Sequence, residues 1–139
     1  MTTILVALDD SPRAPHVLAK ASDLALKLGA TLVMFRAVGI PKEMPVEAYL
    51  MSPEDVTRLL EGRARASLVE MQASVPRGVS SEVQVDVGRA WQAICAAATS
   101  MNVDLIVIGS HGYSGLDHVL GTTAAKVVDH ADRSVLVVR

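Results

Sequence analysis

An α/β fold of the doubly wound type follows from three features of this 139-residue chain. Short apolar runs alternate with segments whose apolar residues recur at helical spacing, in the order β-α-β-α-β-α-β-α-β. The runs at 3–8 and 105–108 carry no polar alternation, as strands buried on both faces do. Aromatic residues are scarce, with one Phe, one Trp and two Tyr. The core is therefore aliphatic, which suits a β-branched parallel sheet under alanine-rich helices.

The first strand, 3–8 (TILVAL), stops at Asp9, Asp10, Ser11 and Pro12. Ala14, Val17, Leu18, Ala21, Leu24, Ala25 and Leu28 then mark one face of a helix. Ser11 is its expected cap, Pro12 suits its first turn and Gly29 its left-handed end. The second strand is 31–38 (TLVMFRAV). Segment 39–51, with Pro41 and Pro45, reads as a long connection. Ser52-Pro53-Glu54-Asp55 is a helix start: a cap, a proline and two acids at the positive end of the dipole.

Val56, Leu60, Ala64, Ser67, Leu68, Met71 and Val75 mark that helix's inward face. Val83, Val85 and Val87 alternate with Gln84 and Asp86, the pattern of a half-exposed edge strand. Ala90, Ile94, Ala97, Ala98 and Met101 form the third helical face. Ala124, Val127, Val128 and Ala131 form a short fourth one, and 134–139 (SVLVVR) is the fifth strand. An edge position for the third strand and inner positions for the first and fourth give a five-stranded parallel sheet of order 3-2-1-4-5. The topological switch then falls between strands one and four, where such sheets bind ligands beyond their carboxyl ends.

Length fits one domain over 1–139. A formal net charge of -2 with no basic block speaks against nucleic-acid binding. No apolar run reaches membrane-spanning length and no signal-peptide layout opens the chain, so a cytoplasmic protein off the membrane is expected. The single cysteine, Cys95, allows no internal disulfide and sits among alanines as a small hydrophobe. His16, His111, His118 and His130 lack metal-ligand spacing, and no metal site is expected. Trp91 reads as packing or surface and Lys126 as solvent-facing.

Segment 104–123, DLIVIGSHGYSGLDHVLGTT, carries the chemistry. A buried strand ends in Gly109, a loop follows with Gly112 and Gly115, and Gly121-Thr122-Thr123 opens a helix. Glycines let a backbone approach a ligand closely, and a helix N-terminus offers unpaired N–H groups and partial positive charge. That combination suits phosphate. The switch point brings this loop and Asp9 to one crevice.

The motifs ILVALDDS, GSHGYSGLDHVLGTTAAKVV and SVLVV together resemble the universal stress protein family over the whole chain. Its nucleotide-binding members show G-x2-G-x9-G-[ST]; here Gly109-x2-Gly112 matches, eight residues separate Gly112 from Gly121, and Thr122 fills the last position. The resemblance implies ATP, or ADP or AMP, as ligand, with Mg²⁺ as a companion. It implies that Ala7, Leu8 and Asp9 flank adenine and ribose, with Asp9 on the ribose or facing a metal. Val38 would offer backbone to the adenine edge. Ile108, Gly109, His111 and Gly112 would line ribose and phosphates, and Gly121, Thr122 and Thr123 would donate to the phosphates. The resemblance also implies a homodimer.

The last strand supports that expectation. Val135, Leu136, Val137 and Val138 leave an apolar edge without the usual protective charge or proline, so 134–139 is the expected dimer strand. The reading is a binding module of the stress response rather than an enzyme, because no G-x4-G-K-[ST] lysine or general base accompanies the loop; slow ATP hydrolysis stays open. A dimeric interaction protein of the same family that binds no ATP is the alternative, kept by the shorter glycine spacing. A phosphoacceptor domain needs an aspartate at the end of a central strand, and the candidate strands here end at Val38, Gly88 and Gly109. HxGH and SGGxDS, marks of nucleotidyltransferases and ATP pyrophosphatases, are absent. Ser11, Ser110 and His111 make no hydrolase triad without G-x-S-x-G.

Overall fold

The computed structural model describes residues 2–39, 50–110 and 120–139. Five strands, β1 (Thr3–Ala7), β2 (Thr31–Val38), β3 (Ser81–Val87), β4 (Leu105–Gly109) and β5 (Ser134–Val138), form one sheet. All neighbours are parallel and the order is β3-β2-β1-β4-β5, as the sequence predicts. Helices α1 (Ala14–Leu28), α2 (Pro53–Gln72), α3 (Ala90–Ser100) and α4 (Thr122–His130) connect them.

β1 lies at the centre, with Val6 opposite Met34 on one side and Val107 on the other. Alternation sends side chains to two separate cores. Ile4, Val6, Leu32 and Met34 pack under α1 and α2, against Leu18, Ala21, Ala64 and Leu68. Leu5, Phe35, Ile106 and Ile108 pack under α3 and α4, against Ile94, Ala98, Ala124 and Val127. Each Val, Leu, Ile, Met or Phe side chain among these contributes about 1.5–3 kcal/mol when fully buried. β3 is the half-exposed edge expected from its alternation: Val85 is buried and Val87 is exposed.

The helix ends follow local chemistry. Ser52 caps α2, its Oγ accepting from the Asp55 N–H at 3.2 Å, with Pro53 in the first turn. Ser52→Ala is expected to cost about 1 kcal/mol of stability, read as a lower urea midpoint with an unchanged m-value. Gly29 ends α1 at φ 63, which a Cβ would disfavour, and lets the Ala30 N–H reach the Ala25 carbonyl at 2.9 Å.

Two expectations are corrected. Ser11 does not cap α1; Arg13 holds that position without a side-chain cap, and Pro15, not Pro12, lies in the first turn. Ser11 instead folds the preceding turn, its Oγ accepting from the Arg13 N–H at 3.3 Å. Leu28 and Val128 leave the inward faces assigned to them and are exposed: Ala124, Val127 and Ala131 carry the inward stripe of α4, and Leu28 is the last residue before the Gly29 turn. Lys126 is exposed, as expected, and its Nζ sits 5.8 Å from the centroid of the Trp91 ring, which also stacks on His130 at 4.4 Å. The bulk of the 39–51 connection lies outside the described residues.

Candidate functional site

β1 and β4 are neighbours, yet α1 leaves β1 toward one face of the sheet and α4 follows β4 on the other. Their divergence opens a crevice of about 790 Å³ at the carboxyl ends of the strands. Its walls come from the starts of α1, α3 and α4 and from the middle of α2. The volume falls within the range of small-molecule sites.

The site residues expected from the sequence converge here. Ala7, Leu8 and Asp9 line the crevice at the end of β1, Val38 at the end of β2, and Ile108 and Gly109 at the end of β4. Gly121, Thr122 and Thr123 line it at the start of α4. His111 and Gly112, with Gly115, lie outside the described residues.

The β1 end is braced. The Leu8 N–H donates to the Phe35 carbonyl at 2.8 Å. Asp9 Oδ1 accepts from the Ser11 N–H at 3.0 Å, closing an Asx turn. The Arg36 guanidinium reaches back from β2, Nε donating to the Leu8 carbonyl at 3.0 Å and Nη2 to the Asp9 carbonyl at 2.8 Å. These bonds hold the crevice floor between the first two strands while leaving the second Asp9 oxygen outside the turn.

The β4 end is built differently. The Ser110 N–H donates to the Val138 carbonyl, and the Ser110 carbonyl accepts from the Gly121 N–H, both at 2.7 Å. This pins the start of α4 against the end of β4. Gly121 occupies the N-cap with φ -59 and ψ 155 and supplies no side-chain cap. The first intrahelical bond belongs to Ala125, so the Thr122, Thr123 and Ala124 N–H groups have no backbone partner among the described residues. All three residues line the crevice. Unpaired donors at the positive end of a helix dipole form an anion-binding arrangement. Ser110 adds a further unspent donor: the residue is 1% exposed, lines the crevice, and its Oγ has no hydrogen-bond partner among the described residues.

The contributors not assigned a binding role from sequence include Arg13, Arg36, Arg63, Ser110 and Ala124. Arg36 carried a signal, being the one charge in an otherwise apolar strand. Ser110 stood directly behind Gly109. Arg63 lies on an α2 turn whose neighbour Ala64 is core, and nothing in its spacing marked it. These arginines give the crevice local positive character against Asp9 and Asp10. Outside the crevice, burial pushes the Cys95 thiol up and the nearby Asp132 carboxylate adds to the effect, so Cys95 stays a neutral thiol.

Fold and crevice together define a doubly wound α/β protein with an anion-binding helix start at its switch point. The chain belongs to the universal stress protein family, whose family model matches residues 1–139. A curated relative, universal stress protein A homolog 1 of Coxiella burnetii, is 33% identical over 140 residues, covering 97% of this chain and 94% of its own. Universal stress protein UspA from Lactobacillus plantarum has a similar structure, with TM-score 0.81 and 26% identity over 99% of this chain and 97% of that one. Two more distant structures share the fold at 21% identity. One is a universal stress protein in complex with cAMP, at TM-score 0.72 over 99% of this chain and 97% of that one. The other, from Archaeoglobus fulgidus in complex with dAMP, has TM-score 0.62 over 100% of this chain and 98% of that one. No helix among the described residues is long and apolar enough to cross a membrane.

Proposed function

We propose that this chain binds an adenine nucleotide, ATP or its ADP and AMP relatives, in the switch-point crevice and acts in the stress response as a dimeric module whose interactions depend on the ligand. The observation that carries the reading is the row of unpartnered N–H groups at Thr122, Thr123 and Ala124, opening on the crevice. Distant relatives of the same fold hold cAMP and dAMP, which supports adenine nucleotide as the ligand class.

In this reading the phosphates sit on the α4 start, with Gly109, His111, Gly112 and Gly121 lining them. Ala7, Leu8 and Ile108 flank the nucleoside, Asp9 accepts from the ribose through its remaining oxygen, and the Val38 backbone meets the adenine edge. Mg²⁺ enters with the phosphates, whose oxygens suit this hard cation. The work is binding rather than turnover.

Among the described residues β5 is hydrogen-bonded on one side, to β4, and Leu136 on it is exposed. A second copy covers this edge in the proposed dimer, consistent with its lack of an edge-protecting charge within the strand. Leu136→Lys is expected to convert the dimer to monomer in light scattering; an unchanged mass places the interface elsewhere.

The decisive experiment combines analysis of nucleotide carried through purification with calorimetric titration of ATP, ADP and AMP in Mg²⁺. Retained nucleotide, or saturable binding below about 1 mM, supports the reading. No retained nucleotide and no millimolar binding favours the second reading, a dimeric interaction protein without ligand, to which the eight-residue spacing between Gly112 and Gly121 lends weight.

A further inference from the structure

We propose, resting on the nucleotide reading above, that Arg13 and Arg63 form a second anionic anchor that makes the crevice selective for polyphosphates over monophosphates. Both residues line the crevice, and neither has an ion-pair partner among the described residues. Their neighbours are already committed. Arg36 is spent on the Leu8 and Asp9 carbonyls, and Arg58, on the same helix as Arg63, pairs with Asp55 at 3.7 Å. Two guanidinium groups with five donors each thus remain for a ligand, in the fork geometry that matches phosphate oxygens.

Their placement gives the anchor its meaning. Arg13 is the N-cap of α1 and Arg63 lies midway along α2, so both belong to one layer of helices. The unpaired N–H groups of α4 belong to the other layer. The crevice therefore meets anion-binding groups from both sides of the sheet. A single phosphate seated on the α4 start satisfies one set. Phosphates beyond the first extend across the switch point toward the arginines. The cationic lining is not a reflection of the whole chain, whose net charge is -2. With the Asp9 Oδ1 turned to the Ser11 N–H, a polyanion is the charge the arginine side of the crevice lacks.

The test is a calorimetric ladder of adenosine, AMP, ADP and ATP on the full chain, with inorganic tripolyphosphate as competitor. The wild type is expected to bind ATP at least about tenfold more tightly than AMP, and tripolyphosphate to displace ATP. Arg13→Gln and Arg63→Gln are each expected to weaken ATP about tenfold while AMP falls by less than about threefold, so the ladder flattens. Thermal melts confirm that the variants fold. A wild type that binds AMP and ATP equally overturns the inference, as does a double variant that keeps the ladder; both outcomes leave the nucleotide reading standing. A wild type that binds no nucleotide overturns both.

Discussion

Thr122→Pro is expected to leave the fold intact and to weaken nucleotide binding about tenfold to a hundredfold. Thr122 is the first residue of α4, where proline's fixed φ fits and its missing N–H breaks no intrahelical bond. The preceding Gly121 already has ψ 155, the extended region a residue before proline adopts. What disappears is one of three N–H groups facing the crevice and the threonine hydroxyl. A hydrogen bond to a charged phosphate is worth about 1.5–3 kcal/mol, hence the expected loss. Thr122→Ser keeps the N–H and a hydroxyl and is expected to bind as the wild type does. A Thr122→Pro protein that melts normally and binds ATP with unchanged affinity would remove the α4 start from the site.

Ser110→Ala separates stability from binding in a second way. The Ser110 hydroxyl is buried without a partner among the described residues, and such a group costs the folded state its lost hydration. Alanine removes that cost, so the unliganded protein is expected to gain about 1 kcal/mol and to melt a few degrees higher. The same change removes a donor that a ligand in the crevice satisfies. Nucleotide affinity is expected to fall about threefold to tenfold. A more stable protein with weaker binding marks the residue as held for its ligand. Loss of stability would instead place the Ser110 Oγ in the structural network around Val138 and Gly121, whose backbone it already joins.

Elements governed by local chemistry were legible in the sequence. The Ser52-Pro53-Glu54-Asp55 start, the left-handed Gly29 and the edge character of Val83, Val85 and Val87 each depend on a few adjacent residues. Strand order was legible in so far as the observed arrangement is one that puts the apolar runs inside and the half-polar one at an edge. The start of α1 was misread because Ser11 has two uses for its hydroxyl, as a cap or within a turn, and spacing does not choose between them. Leu28 and Val128 obey helical periodicity yet are exposed, since period alone does not fix how wide an inward stripe the packing covers.

The crevice was legible in outline for a different reason. Its β1, β2 and β4 residues sit at strand ends, and topology alone brings strand ends together. Its arginines were not legible. Arg36 acts through two carbonyls on a neighbouring strand, and Arg63 projects from a helix separated from the glycine loop by some fifty residues of sequence. Such contacts exist only after folding. The unpaired state of the Ser110 Oγ is likewise a property of packing, not of sequence.

The central claim is that nucleotide phosphates rest on the start of α4. Amide-resolved NMR during an ATP titration tests it most directly. The Thr122, Thr123 and Ala124 amide resonances are expected to move furthest downfield and to saturate together with Asp9 and Val38. Saturable ATP binding that leaves these three amides unmoved, or no saturable change anywhere in the spectrum, would contradict it.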